Sequence, residues 1–315
     1  GLTTPAHPAP FRVLGEELLA ILPPFNLRLL VGHPGALKKN LLAAVCFTLI
    51  AAALIGLTGN IGQWLATAIG VYITFSWAQN LKIRDPATYA MMFGSRAFVY
   101  TMIAFPLTAF VGYGAGFWIP PLLLRVHDVS PADIGMYIGL GAAAGGFLGI
   151  TLGGILSDYL KTRFPGGRMI VGYISILGSV PLLLLLVYTD DLAFAFWVNF
   201  FLTMPAACGG GVPPSTASDL VMPRMRAVAG AYYILVNTFV GLALGPYTIG
   251  QLSDLLHAGG MSNADALRTA IALSMLVFIP ALFFLFLAQK HLPRDEAIRL
   301  ERAQALGEPV EAGAE

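Results

Sequence analysis

The chain has 315 residues, of which 57% are hydrophobic and only 11% charged, and its formal net charge is +1. Soluble domains carry charge on roughly a quarter of their residues, and the mean hydropathy here is +0.75. A soluble domain is therefore excluded, no nucleic-acid partner is expected, and the composition indicates an all-α polytopic membrane protein.

Residues 1–10 carry Thr3, Thr4, Pro5 and Pro8 and read as a flexible lead-in. Leu14, Leu18, Ile21 and Leu22 then share one helical face while Glu16 and Glu17 point away, until Pro23-Pro24 stops the helix. It is too short to span a bilayer, so residues 1–40 are expected to form a cytoplasmic lead-in with an amphipathic surface helix and a basic approach (Arg28, Lys38, Lys39).

Eight apolar runs follow, each near the roughly 20 residues a bilayer requires, at 41–58, 62–80, 97–123, 134–157, 169–188, 192–213, 227–250 and 267–289. The first connection, around Asn60, is short enough to make a hairpin of the first two. Of the 18 Lys and Arg residues, all but Arg125 and Arg268 fall on one set of alternate connections. Cations concentrate on the cytoplasmic side, so both termini are expected there. The expected divisions are an extra hairpin with its loop over 41–96, six spans over 97–290, and a charged cytoplasmic tail over 291–315.

Within the fourth span Gly141, Gly145, Gly149 and Gly153 recur every four residues, which stacks them on one helical face. Small residues there let a neighbouring backbone approach closely, the usual basis of helix association in lipid. The span ends in Gly154-Ile155-Leu156-Ser157-Asp158, followed by Lys161, Arg163 and Arg168. A carboxylate facing clustered cations across a tight loop can act as a latch between helices; simple packing beside a solvated basic loop is the equal alternative.

No Asp, Glu, Lys or Arg stands near the middle of any span, so a coupling proton or ion would be carried elsewhere. The polar groups inside the spans are uncharged: Tyr113 and Trp118 in the third, Asn199 and Cys208 in the sixth, and Tyr232, Tyr233 and Asn237 in the seventh. An amide in hydrocarbon needs partners or a polar cavity. Asn237 and Asn199 therefore lead the cavity-lining candidates, with an interhelical hydrogen bond as the alternative for each. Helix breakers mark the third span (Gly112-Tyr113-Gly114-Ala115-Gly116, Pro120-Pro121), the sixth (Pro205, Gly209-Gly210-Gly211, Pro213-Pro214) and the seventh (Gly245-Pro246). Interruptions of this kind are expected to bend or break helices beside a transport path. The five histidines lie apart and the two cysteines in apolar surroundings, so neither a metal nor another cofactor is indicated. A membrane enzyme would need a catalytic constellation at membrane depth, and none is visible.

Gly154 to Asp158 with Arg163 and Arg168 resembles the cytoplasmic loop signature of the major facilitator superfamily in its C-terminal-half copy. The departure is Phe164-Pro165-Gly166, which widens the basic part. Gly241, Gly245-Pro246 and Gly250 are similar to the superfamily's glycine-proline helix motif, and Gly112 to Pro121 with Arg226-Ala227 looks like the Spinster-like branch. The resemblance covers 97–290. It implies a conformational latch at Gly154, Asp158, Arg163 and Arg168, a secondary transporter of a small, amphipathic or lipid-like solute, and a bacterial inner-membrane location. It also implies a hairpin inserted between two six-helix halves, the N-terminal half being missing here. The competing expectation is a complete eight-span assembly protein whose glycine faces bind other subunits.

Overall fold

The computed structural model describes residues 30–127 and 129–308. The surface helix expected over 14–22 lies outside them. The described residues form helices joined by short turns, without a strand. They divide into two compact units, up to Ala90 and from Met91 onward.

The first unit is a helical hairpin, α1 (Pro34–Thr58) and α2 (Ile61–Arg84). Gly59 adopts a left-handed backbone (φ 71°), as the end of α1 requires. Asn60 accepts the Gln63 N–H at 3.1 Å and so caps α2. A buried polar clasp joins the two helices: Asn40 Nδ2 donates to Ser76 Oγ (2.9 Å) and Gln79 Oε1 (3.0 Å). Tyr72 donates to Asn40 Oδ1 at 2.7 Å. A short helix, α3 (Pro86–Phe93), follows.

The second unit holds six long apolar segments. They are α4 (Arg96–Val126), α5 (Pro131–Arg163), α6 (Arg168–Tyr188), the run 192–219, the run 223–258 and the run 263–297. The run 192–219 consists of α7 (Leu192–Cys208), a 3₁₀ turn at Gly209–Gly211 and α8 (Val212–Asp219). In 223–258, α9 (Arg226–Asn237) passes through a π-helical stretch, Thr238–Leu244, into α10 (Gly245–Ala258). In 263–297, α11 (Asn263–Ser274) leads through a 3₁₀ turn to α12 (Phe278–Ala297), and α13 (Arg299–Ala305) follows. With α1, seven described segments are long and apolar enough to cross a membrane. The expected span at 62–80 is helical as α2 but is not among the seven, because Gln63, Gln79, Asn80 and Lys82 dilute its apolar character.

The glycine face of α5 lies on α7. An added Cβ would strike the carbonyl oxygen of Phe200 at Gly145, of Met204 at Gly149 and of Cys208 at Gly153; at Gly141 it would lie 3.1 Å from Asn199 Nδ2. Backbone therefore meets backbone along three turns, and the face offered for subunit assembly is already occupied within the chain.

Despite Gly112, Gly114, Gly116, Pro106 and Pro120-Pro121, α4 runs without a break for 31 residues. Each proline removes one backbone donor, from the carbonyls of Met102, Gly116 and Phe117, and α4 stays helical through them where it packs against α10, α11 and α12. The sixth span does break, at Gly209–Gly211 beyond Pro205. The seventh changes to a π-helix ahead of Gly245-Pro246.

The N-terminus of α4 is closed by a residue from the far end of the chain. Buried Asp295 of α12 accepts from Ser95 Oγ (2.7 Å) and from the Ala97 N–H (2.9 Å). At the opposite end Ser130, Asp191 and Ser262 cap α5, α7 and α11.

Gly149→Val should cost about 1–3 kcal/mol by overpacking against Met204 and lower the unfolding midpoint of the purified protein in detergent. Gly146→Ala, where nothing lies within 4 Å of the added carbon, should leave that midpoint unchanged.

Candidate functional site

Of the polar side chains named within the spans, Tyr113, Trp118, Asn199, Tyr233 and Asn237 are the cavity candidates, and they fall into two groups. Asn199 is buried at 3% exposure and donates from Nδ2 to the Ile138 carbonyl of α5 at 3.2 Å. It also borders a cavity of about 160 Å³ among α4, α5, α6 and α7. Thr108, Ser175, Ser179 and Thr203 supply the hydroxyls of that cavity, beside apolar walls such as Val111 and Leu183. The interhelical hydrogen bond and the cavity wall, alternatives in the sequence, are both present. The hydroxyls of Ser179 and Thr203 are turned to local carbonyls, Ser175 at 2.6 Å and Phe200 at 2.9 Å. Sequence reading missed these hydroxyls, because a Ser or Thr that can satisfy its own helix gives no distinctive signal.

The other four stand on α4 and on the 223–258 run. Asn237 is the last residue of α9, where the π-helical stretch begins, and Tyr233 one turn earlier donates to its Oδ1 at 3.4 Å. Tyr113 is 46% exposed, and its ring edge lies against Gly241, where an added Cβ would come within 2.7 Å of it. Trp118 has a packing role. Its indole N–H donates to the Pro246 carbonyl at 2.7 Å, its ring fills the space beside Gly250, and Arg125 lies 5.9 Å from the ring centroid. Gly245 approaches the Phe110 carbonyl so closely that no side chain would fit. The glycine-proline motif thus lets the 223–258 run lie directly on α4. π-Helical turns recur at functional sites and mark a locally adjustable helix.

The basic loop is arranged differently from the expected latch. Asp158 is exposed, and among the described residues no ion pair or side-chain hydrogen bond engages it. Arg168 is buried and pairs through Nη1 with Asp219 Oδ2 at 2.6 Å, and Lys161 Nζ reaches the same oxygen at 2.6 Å. Arg299 donates to the Asp219 backbone carbonyl at 2.9 Å. Arg163 lies over the Tyr159 ring, 5.4 Å from its centroid. Gly154 has nothing within 4 Å of an added Cβ, unlike its neighbour Gly153. Within the chain the carboxylate that gathers the loop cations is therefore Asp219, at the end of α8, and not Asp158. The available sequence signal was a lone acidic residue at a span end, on the same side as both basic loops.

The two cations at the sparse end are also held. Arg268 pairs with Asp190 at 2.7 Å, and Arg125 donates to the Asn263 carbonyl at 3.2 Å. Among the described residues no group of His, Cys, Asp or Glu could hold a metal ion.

No family model matches the chain. Curated relatives do. An MFS-type efflux pump of Mycolicibacterium smegmatis is 31% identical over 178 residues, 54% of this chain and 41% of the pump. Protein spinster of Drosophila melanogaster is 26% identical over 172 residues, 51% of this chain and 28% of that protein. Human protein spinster homolog 3 is 29% identical over 175 residues, 51% of this chain and 34% of that protein. The chain spans less than half the length of these relatives. A solved structure of a bacterial homologue of the human lysosomal transporter Spinster, inward-facing and unoccupied, superposes with a TM-score of 0.59 at 22% identity. That match covers 74% of this chain and 58% of the other; the occupied form gives 0.57 at 21% identity. The resemblance to the major facilitator superfamily and its Spinster-like branch, carried in the sequence by the loop signature and the glycine-proline motif, recurs in the names of the relatives, and the solved structures share the fold.

Asp219→Asn should strand the Arg168 guanidinium in a buried position, at a cost on the order of 3 kcal/mol. The unfolding midpoint in detergent should fall clearly. Asp158→Asn in the same assay should leave it unmoved.

Proposed function

We propose that this chain supplies the C-terminal half of a secondary active transporter, with an inserted hairpin ahead of it, and that transport proceeds by alternating access against an N-terminal six-helix half. Its relatives include an MFS-type efflux pump and spinster proteins, and among the described residues six of seven apolar spans lie in residues 96–297. The observation that carries the reading is the seventh span: a π-helical stretch, seated on α4 through Gly241 and Gly245, with Asn237 and Tyr233 at its start. Small residues at Gly241 and Gly245 let the two helices meet closely, with the Tyr113 and Trp118 rings filling the seam. An adjustable turn beside polar groups gives a shift of the span a place to occur.

In this reading Asn237, Tyr233, Tyr113 and Asn199 line the solute path, and Trp118 holds the span against α4. The walls are uncharged and mainly apolar, which suits a small amphipathic or lipid-like solute. The coupling proton or ion is carried in the N-terminal half, because no carboxylate stands at the centre of these spans. In this reading both ends of the chain are cytoplasmic, at a bacterial inner membrane, and the excess of Lys and Arg on one set of connections supports that orientation. Asp158, left exposed by its own half, becomes the latch residue that faces the other half, while Gly154, Arg163 and Arg168 shape the loop that presents it. The assembly alternative loses its basis, since the glycine face 141–153 is buried on α7.

In proteoliposomes of the full-length protein, Asp158→Asn should slow efflux of fluorescent amphipathic dyes about tenfold, the size of a typical conformational coupling. Protein yield and unfolding midpoint should stay at the level of the parent. Unchanged efflux would overturn the latch. Asn237→Leu should raise the half-saturating dye concentration several-fold at an unchanged midpoint; a fall in stability with unaltered affinity would assign the amide to packing.

A further inference from the structure

A second cavity, of about 350 Å³, lies at the basic end of the bundle, where α5 ends, α6 begins and α12 passes. Its lining includes Lys161, Arg163, Arg168 and the turn 164–167, with Leu292 and Glu296 on the α12 wall. The turn is rigidly placed. Gly166 is left-handed (φ 65°), and a Cβ on it would come 2.6 Å from the Gln289 carbonyl oxygen. At Gly167 a Cβ would strike the Leu160 carbonyl. Gly167 is also the N-cap of α6 and supplies no capping side chain; the Met169 and Ile170 N–H groups turn back to the Gly166 and Gly167 carbonyls, each at 3.0 Å, so side-chain cations and not the helix end supply the positive charge of the cavity.

Arg168 makes this more than a helix terminus. Its side chain is only 7% exposed, and Asp219 takes Nη1, yet its Nε–H is buried with no acceptor. A buried guanidinium N–H without a partner is costly, and here it belongs to a residue that lines an open, cation-rich cavity. Arg163 has no ion pair and Lys161 shares its carboxylate with Arg168. Glu296 opposes them with a single charge within reach of Lys161, Arg168, Arg299 and Asp219. Counting Asp219 and Arg299 as well, four cations face two carboxylates.

We propose that this cavity binds a phosphate group, held by Arg168 Nε–H, Arg163 and Lys161. The site lies at the ends of three membrane-crossing segments, the depth of lipid headgroups, so the phosphate belongs either to an anionic lipid or to a free phosphate in solution. Binding here concerns the loop and not the solute path, and it is read without a transport assay.

The test uses the full chain in phosphatidylcholine nanodiscs at constant ionic strength, following the unfolding midpoint. In one arm phosphatidylglycerol is added to the discs; in the other, inorganic phosphate is titrated against sodium chloride. A rise with phosphatidylglycerol alone assigns the site to a lipid headgroup, and a rise with inorganic phosphate as well assigns it to a free oxyanion. No rise in either arm overturns the proposal. Arg163→Gln, at an exposed position, should weaken the half-saturating concentration about fivefold, the worth of one cation near an anionic headgroup. Arg294→Gln removes an exposed cation outside the lining and should leave it unchanged. Equal weakening by both variants would show diffuse charge attraction and overturn the site.

Discussion

Lipid gives two apolar helices no hydrophobic reason to associate, because hydrocarbon solvates a leucine as well as another leucine does. What remains is close packing, and this bundle obtains it by bringing backbones together. Gly145, Gly149 and Gly153 put α5 directly on the carbonyls of α7; on α4, Gly245 of the 223–258 run meets the Phe110 carbonyl while Gly241 makes room for the Tyr113 ring and Ala109. The two seams both rest on glycine but differ in what surrounds them. The α5–α7 seam is regular helix on regular helix. The seam on α4 contains the π-helical stretch, and Trp118 pins its Pro246 carbonyl. One is suited to stay fixed and the other to adjust.

Charge is used only at the ends of the bundle. On one side the Asp219 carboxylate collects Lys161 and Arg168, and its backbone carbonyl accepts from Arg299. On the other, Arg125 and Arg268 are tied to a neighbouring carbonyl and carboxylate. Fixing the ends leaves the apolar middle free of buried charge, where an ion would be expensive. It also explains why the loop keeps its shape while Asp158 is left without a partner.

Much of this was legible from residue order. A four-residue glycine repeat can only stack on one face, so the α5 seam follows from spacing alone, and long apolar runs between basic loops mark the spans. The pairing of Asp219 was not legible, since its partners lie 51 and 58 residues away and are chosen by how helices dock. The continuity of α4 was not legible for a related reason: glycine and proline weaken a helix locally, but neighbours pack against α4 on several sides and it stays helical throughout. The π-helical stretch leaves no mark in sequence beyond the Gly245-Pro246 that follows it. At Asn199 the residue type was informative, while the choice between hydrogen bond and cavity wall turned out to be no choice, as one side chain does both.

The cap that Asp295 places on α4 joins residues 200 and 198 positions apart. Such a bond cannot exist while the chain is still emerging, because Asp295 is made long after Ser95 has entered the membrane. Until then the first helix of the unit carries an open start, with its Ser95 hydroxyl and Ala97 N–H unpaired. The order of biosynthesis is therefore opposite to the order of closure. The earliest helix of this unit is completed by one of its last residues, and a chain released before residue 295 would insert its helices without ever sealing the bundle.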